Sequence, residues 1–167
     1  METRRVTTAD IPEIRHISRK AVNAAYEFLP TREREATVRE RFSAERFETA
    51  LADDDVILVA AIDGGELVGY AHVDAVNRAD AVGEAVLQGI YVSPEQWQEG
   101  VGTALLDTLE DEIRKRGFTQ LSVAVLVDNE RGKRFFESKG FERIEERVED
   151  LFTGGTAYQQ VYYHDFA

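Results

Sequence analysis

Residues 56–62, VILVAAI, form an unbroken apolar run, and residues 67–76, LVGYAHVDAV, form a second, with DGGE between them. Runs of this length rich in β-branched residues, joined by a glycine pair, read as the two strands of an antiparallel hairpin. A hairpin in mid-chain constrains the fold strongly, because it excludes a chain built only of alternating strand–helix–strand crossovers. Before it, "RRVTTAD" reads as a short strand followed by a cap from Asp10 or Thr8, and Ile11, Ile14, Ile17, Ala21 and Ala25 recur at helical spacing. Pro30 interrupts that helix. A charged, half-exposed helix follows from Arg32 to Phe42, and Ser43 caps a third helix ending near Leu51.

After the hairpin, NRADAVG reads as a loop and EAVLQGIYV (84–92) as a strand, with Gly89 marking a bulge or a close backbone approach. Val101, Ala104, Leu105, Leu109 and Ile113 give an amphipathic helix stopped by Gly117, and LSVAVLV (121–127) a buried strand. NERGKRFFESKG reads as a helix ending at Gly140, and 141–148 and 157–166 as two closing strands around FTGG. The order predicts a single α/β domain over residues 1–167, with a mixed, mostly antiparallel sheet of about six to seven strands flanked by helices.

The chain has no cysteine, which removes disulfides and thiolate metal sites, and no metal is expected. Its net charge of −12 argues against nucleic acid and anionic membrane as partners. The start lacks an apolar signal core and no apolar run approaches membrane-spanning length, so a cytoplasmic protein is expected. Only four residues are lysine, at 20, 115, 133 and 139, and the acidic surface suits either a salt-rich solvent or an ordinary soluble protein.

Between the strand ending at Val92 and the helix after Gly102 lies PEQWQEGVGTALL (94–106). A helix N-terminus presents unpaired N–H groups and the positive end of its dipole, and glycine lets a ligand approach them. The junction therefore suggests a phosphate seat. It is not a dinucleotide fingerprint, because Leu105 stands where a third glycine is needed, and it lacks the Gly-Lys-Ser/Thr of a nucleotide P-loop. A second segment, DNERGKRFFESKGF (128–141), follows the next strand, with Asn129 as a cap and Arg131, Lys133 and Arg134 near the helix start.

Together these two stretches resemble the GNAT superfamily of N-acetyltransferases. Its phosphate loop, Gln/Arg-x-x-Gly-x-Gly/Ala, is matched by Trp97, Gly100 and Gly102, with tryptophan in the first position. Its second signature, Asn-x-x-Ala-x-x-Phe-Tyr-Glu-x-x-Gly-Phe, is matched by Asn129, Gly132, Phe135, Phe136, Glu137, Gly140 and Phe141. The resemblance implies a sheet splayed between the fourth and fifth strands and acetyl-coenzyme A as co-substrate. Backbone amides of Gln98, Glu99, Gly100, Val101, Gly102 and Thr103 would take the pyrophosphate. Ile90, Tyr91 and Val92 would pair with the pantetheine arm like an added strand, with the Val92 N–H near the thioester oxygen. Asn129 and Phe136 would lie along the cofactor, and Arg131, Lys133 or Arg134 would reach the phosphates. Trp97 would cover the loop or help a partner dock. Tyr26 and Phe28, with the FTGG loop and Tyr162 or Tyr163, would wall the acceptor site. The partners implied are a small-molecule or peptide amine and, through the closing strands, a second copy of the chain.

The catalytic inventory departs from the family. The frequent acid, a tyrosine, is Phe136, and two positions that often carry a glutamate base are Ala124 and Val86. Glu84 and Gln88 share strand parity with Val86, so Glu84 is the first candidate base and Gln88 a residue that would hold a water; His72 is a third candidate, of suitable pKa class. A coenzyme A thiol of pKa about 8.5 leaves tolerably without an acid. A lysine-type amine, pKa about 10.4, is about one part in a thousand neutral near pH 7.5, whereas an α-amino group near 7.7–8.0 is about a third neutral. The expected acceptor is therefore an amine of low pKa, or one served by a base in an unusual place. The missing groups also motivate a rival reading, a non-catalytic domain that binds acyl-coenzyme A as a sensor; an unrelated α/β nucleotide binder is a third.

Overall fold

A computed structural model describes residues 1–75 and 84–166. The loop expected over 77–83 and the end of the strand expected at Val76 lie outside these residues. Seven strands form one sheet in the order β1-β2-β3-β4-β5-β7-β6. They are β1 (Glu2–Arg5), β2 (Val56–Asp63), β3 (Glu66–Asp74), β4 (Glu84–Val92), β5 (Gln120–Leu126), β6 (Glu142–Asp150) and β7 (Thr156–Asp165). The helices are α1 (Ile11–Ala25), α2 (Thr31–Arg41), α3 (Ala44–Ala52), α4 (Val101–Lys115) and α5 (Glu130–Ser138). All pairings are antiparallel except β4 with β5. The predicted mixed sheet and the mid-chain hairpin are thus both present.

Burial follows strand parity. Ile57, Val59, Ala71, Val73 and Leu87 point to one face, under α4, with Leu105, Leu109 and Ile113 buried against them. Leu58, Ala60 and Tyr70 point to the other, under α1 and α3, where Ile14, Ile17, Phe42 and Phe47 pack. Each fully buried leucine contributes about 1.5–3 kcal/mol. Tyr70, wholly buried, shares a 2.5 Å hydrogen bond with the Ser18 hydroxyl, so the polar tip of this core ring is satisfied.

Two irregularities shape the centre of the sheet. Val73 pairs with Leu87 but His72 with Gly89, so Gln88 is an extra residue and β4 bulges there. A Cβ on Gly89 would stand 2.5 Å from the Tyr91 hydroxyl, so only glycine lets that ring lie back across the strand. Just at this point the β4–β5 ladder ends, at Leu87 opposite Val123. Beyond it the two strands run on to Val92 and Leu126 without pairing, which is the predicted splay.

Some local expectations change. Asp10 does not cap the helix after it; its carboxylate accepts from the Thr7 N–H and from Arg4, closing a 3-10 turn ahead of α1. The α2 helix begins at Thr31 and is not uniformly half-exposed, because Glu33 in its first turn is 1% exposed. The edge strand β6 leaves Ile144 and Val148 exposed, beside Tyr158 of β7. No helix among the described residues is long and apolar enough to cross a membrane.

Candidate functional site

The gap between β4 and β5 opens into a cavity of about 1490 Å³. The unpaired edge of β4 forms one wall. The Ser93 N–H donates to the Val68 carbonyl on β3, and successive strand N–H groups point to opposite edges, so the Val92 N–H faces the gap. The Val92 carbonyl is taken by the Trp97 indole N–H at 2.9 Å.

Trp97 belongs to the turn that delivers the chain into α4. Gly100 caps that helix with φ of +84°, a left-handed conformation suited to glycine, and Gln98 also has positive φ, at 67°. The helical ladder begins with the Ala104 N–H on the Gly100 carbonyl. The N–H groups of Val101, Gly102 and Thr103 come before it and are the free donors of the first turn. Gly102 lies against α5; a Cβ there would sit 3.1 Å from the Phe135 ring. Gln98, Gly100, Val101, Gly102 and Thr103 line the cavity, and Glu99 does not.

The α5 helix forms the facing wall. Asn129 accepts from the Gly132 N–H at 3.0 Å, so the predicted cap is formed. A Cβ on Gly132 would stand 2.7 Å from the Asn129 amide nitrogen, which explains glycine where the family pattern has alanine. Arg131, Arg134 and Phe136 line the cavity. Lys133 does not; it turns back to Glu130 at 3.0 Å. The Arg131 guanidinium stacks 4.0 Å above the Trp97 ring and so links the two walls. Trp97→Ala removes this contact and the bond to Val92, together about 2 kcal/mol, and is expected to raise the KM for acetyl-coenzyme A by up to about thirtyfold in steady-state assays as the two walls loosen.

The other half of the cavity is bounded by the α1–α2 break, α2 and the β6–β7 turn. Tyr26, Leu29, Arg41, Tyr91, Phe152 and Val161 line it. Burial and then the neighbouring Tyr91 push the Tyr26 phenol up, so it stays protonated. Interaction with Tyr91, outweighing burial, which acts the other way, shifts the Arg41 guanidinium upward, with Tyr26 and Glu149 adding to it. Phe28 lies outside the lining, 38% exposed, with its ring edge-on to Tyr26 at 5.7 Å. Tyr162 is likewise absent from the lining, because β7 parity turns Gln159 and Val161 inward and buries Tyr162, whose hydroxyl donates to Glu137 at 2.8 Å; burial and that bond push its phenol to about 12.

Of the three candidate catalytic residues, only Gln88 lines the cavity. Its amide nitrogen donates to Asp74 at 2.7 Å, and the other Asp74 oxygen lies 3.3 Å from His72 Nε2. The His72 hydrogen bond, outweighing burial, holds the Asp74 carboxyl below its ordinary value. Glu84 stands at the opposite end of β4, across from Gln120 where the ladder is still closed, and outside the lining. Asp74, Glu33 and Arg41 are the residues here that sequence reasoning missed or left without a role, whereas Phe152, of the FTGG loop expected to wall the acceptor site, does line the cavity.

A sheet split between two parallel strands, with the free first-turn N–H groups of a helix lining the opening, suits an elongated anionic ligand. Residues 16–141 match the acetyltransferase (GNAT) family, and the chain belongs to that family. It is 34% identical over 110 residues to an aminoglycoside N(6')-acetyltransferase type 1 of Stenotrophomonas maltophilia, covering 62% of this chain and 71% of that protein. It is 41% identical over 58 residues to the [ribosomal protein bS18]-alanine N-acetyltransferase of Escherichia coli, covering 35% of this chain and 39% of that protein. A spermidine N(1)-acetyltransferase of Thermoplasma acidophilum matches at 23% over 90% of both chains. The fold is shared with the PaiA N-acetyltransferase of Thermoplasma acidophilum, solved in complex with coenzyme A, at TM-score 0.79 and 21% identity over 98% of both chains.

Proposed function

We propose that the chain transfers the acetyl group of acetyl-coenzyme A to a primary amine by direct attack of the bound amine. The single observation that carries this is the gap itself, where an unpaired β4 edge leads into the free first-turn amides of α4. The residues fit an elongated diphosphate ligand. The first-turn N–H groups of Val101, Gly102 and Thr103 come before the helical ladder, Gly100 adopts a turn favourable to glycine, and Arg131 and Arg134 line the cavity and supply positive charge in an acidic chain.

When bound, acetyl-coenzyme A supplies an acyl group activated as a thioester. The amides of Val101, Gly102 and Thr103 would hold its diphosphate, aided by the dipole of α4. Ile90 and Val92 offer their gap-side backbone to the arm. The gap-facing Val92 N–H would donate to the thioester carbonyl oxygen, where negative charge would develop. Gln88, its amide NH₂ held by Asp74, would accept through its oxygen from a water that takes the amine proton and passes it to bulk solvent through the open cavity. No acid is needed at Phe136, because the thiolate leaves unprotonated.

The named relatives act on an aminoglycoside, an alanine of a ribosomal protein and spermidine, and their shared chemistry is an amine acceptor. The test is release of free thiol from acetyl-coenzyme A across a panel of aminoglycosides, peptides with free N-termini and polyamines. Turnover with at least one class is expected. The apolar Phe136 and Ala124 favour one second reading, a non-catalytic acyl-coenzyme A sensor. Cofactor binding without turnover on any amine would decide for the sensor.

A further inference from the structure

Glu33 is 1% exposed, yet its partners are not cations. Its Oε2 accepts from the Phe152 N–H at 3.0 Å, and its Oε1 from the Thr153 N–H at 2.9 Å and the Thr153 hydroxyl at 2.7 Å. Successive backbone N–H groups in a turn make a concavity for an anion, and a carboxylate 119 residues distant in sequence fills this one. Burial pushes the Glu33 carboxyl up, but the bonds from Thr153 and Phe152 outweigh it and hold it below the ordinary 4.5.

The turn closes on itself through the Leu151 N–H to the Gly155 carbonyl at 2.8 Å, with Gly154 at φ +98°. Leu151 and Phe152 line the acceptor half of the cavity. Phe152 is 50% exposed, so core packing does not fix it. Its place follows from its own backbone, and that backbone is pinned to Glu33. Tyr26 and Leu29, from the segment that leads into α2, line the same cavity.

We infer that Glu33 is a positioning residue for acceptor specificity: by clasping the β6–β7 turn it holds Leu151 and Phe152 as a fixed part of the cavity wall that Tyr26 and Leu29 also line, so a ring-bearing or bulky amine, which reaches that wall, depends on the clasp more than a slim linear one. This rests on the acetyl-transfer reading. The clasp needs two acceptor oxygens. Glutamine supplies one and turns an NH₂ toward a donor, whereas aspartate keeps both on a shorter stem.

The test is steady-state kinetics of Glu33→Gln, Glu33→Asp, Thr153→Ala and Phe152→Ala on every amine the wild type uses, alongside calorimetric binding of acetyl-coenzyme A. For ring-bearing or bulky acceptors, Glu33→Gln and Phe152→Ala raise KM at least tenfold and Thr153→Ala about threefold, with kcat within threefold; Glu33→Asp recovers part of the loss. Linear diamines shift less than twofold, and the Kd for acetyl-coenzyme A stays within twofold. Thr153→Ala and Phe152→Ala, which remove only part-exposed groups, decide the matter if Glu33→Gln does not fold. The inference is overturned if these variants leave every acceptor KM within twofold, if linear amines suffer equally, or if acetyl-coenzyme A binding falls in step. A wild type that binds acetyl-coenzyme A but releases no thiol with any amine overturns the acetyl-transfer reading and this role with it.

Discussion

Replacing Gly102 with aspartate is expected to weaken acetyl-coenzyme A binding at least about a hundredfold while leaving the fold intact. The new Cβ meets the Phe135 ring at 3.1 Å, so ring or helix must give way by a few tenths of an ångström. The new carboxylate stands in the first turn of α4 and competes for the amides that hold the diphosphate. Losing one charge-assisted hydrogen bond costs about 1.5–3 kcal/mol, and like-charge repulsion adds to it. The same carboxylate is favourable to the helix itself, because it sits at the positive end of the dipole. Thermal unfolding should therefore be unchanged or slightly improved while calorimetric affinity collapses. Gly102→Ala carries the Cβ without the charge and should lose less than tenfold. Equal losses in the two variants would show that packing, not anion binding, is what glycine serves there.

The pH dependence of kcat/KM is expected to rise roughly fiftyfold between pH 6 and pH 9 and then level off, as neutralisation of an amine with pKa near 7.7–8.0 requires. Asp74 titrates below its ordinary carboxylate range and is ionised across this whole window, so it contributes no limb. The Tyr26 phenol, pushed upward by burial, stays protonated across it and contributes none either. Gln88→Ala should lower the plateau without moving the midpoint, because the amide positions water and does not titrate. A limb near 6.5 that vanishes in His72→Gln would assign the proton to the imidazole. A profile still climbing well above pH 9 would contradict an acceptor of low pKa.

The gap and the turn at the head of α4 were legible because their demands are local. A turn with φ of +84° selects Gly100, a close helix approach selects Gly102, and the Tyr91 ring lying against the strand selects Gly89; each leaves a glycine in an otherwise regular pattern. The helix phase of α5 was the finer point. With the helix starting at Glu130, Arg131 and Arg134 share the cavity side while Lys133 faces back along the axis to Glu130, an i,i+3 pair. Glu33 could not be read. It lies in a helix whose sequence, TREREATVRER, is charged all round, and its partners are backbone groups of a distant turn. The Gln88–Asp74–His72 chain was hidden for a related reason. Strand parity put Glu84 and Gln88 on one face alike; it could not show the bulge that sets Gln88 beside Asp74, or the closed end of the β4–β5 ladder that keeps Glu84 from the cavity.

The most direct measurement is a ¹H–¹⁵N titration of the chain with coenzyme A, following each backbone amide. The account predicts the largest shifts at Gly100, Val101, Gly102 and Thr103, with Ile90 and Val92 next, and small ones on the Glu84 end of β4. Binding that leaves the 100–103 amides unmoved, or that maps instead to the free β6 edge, would contradict it.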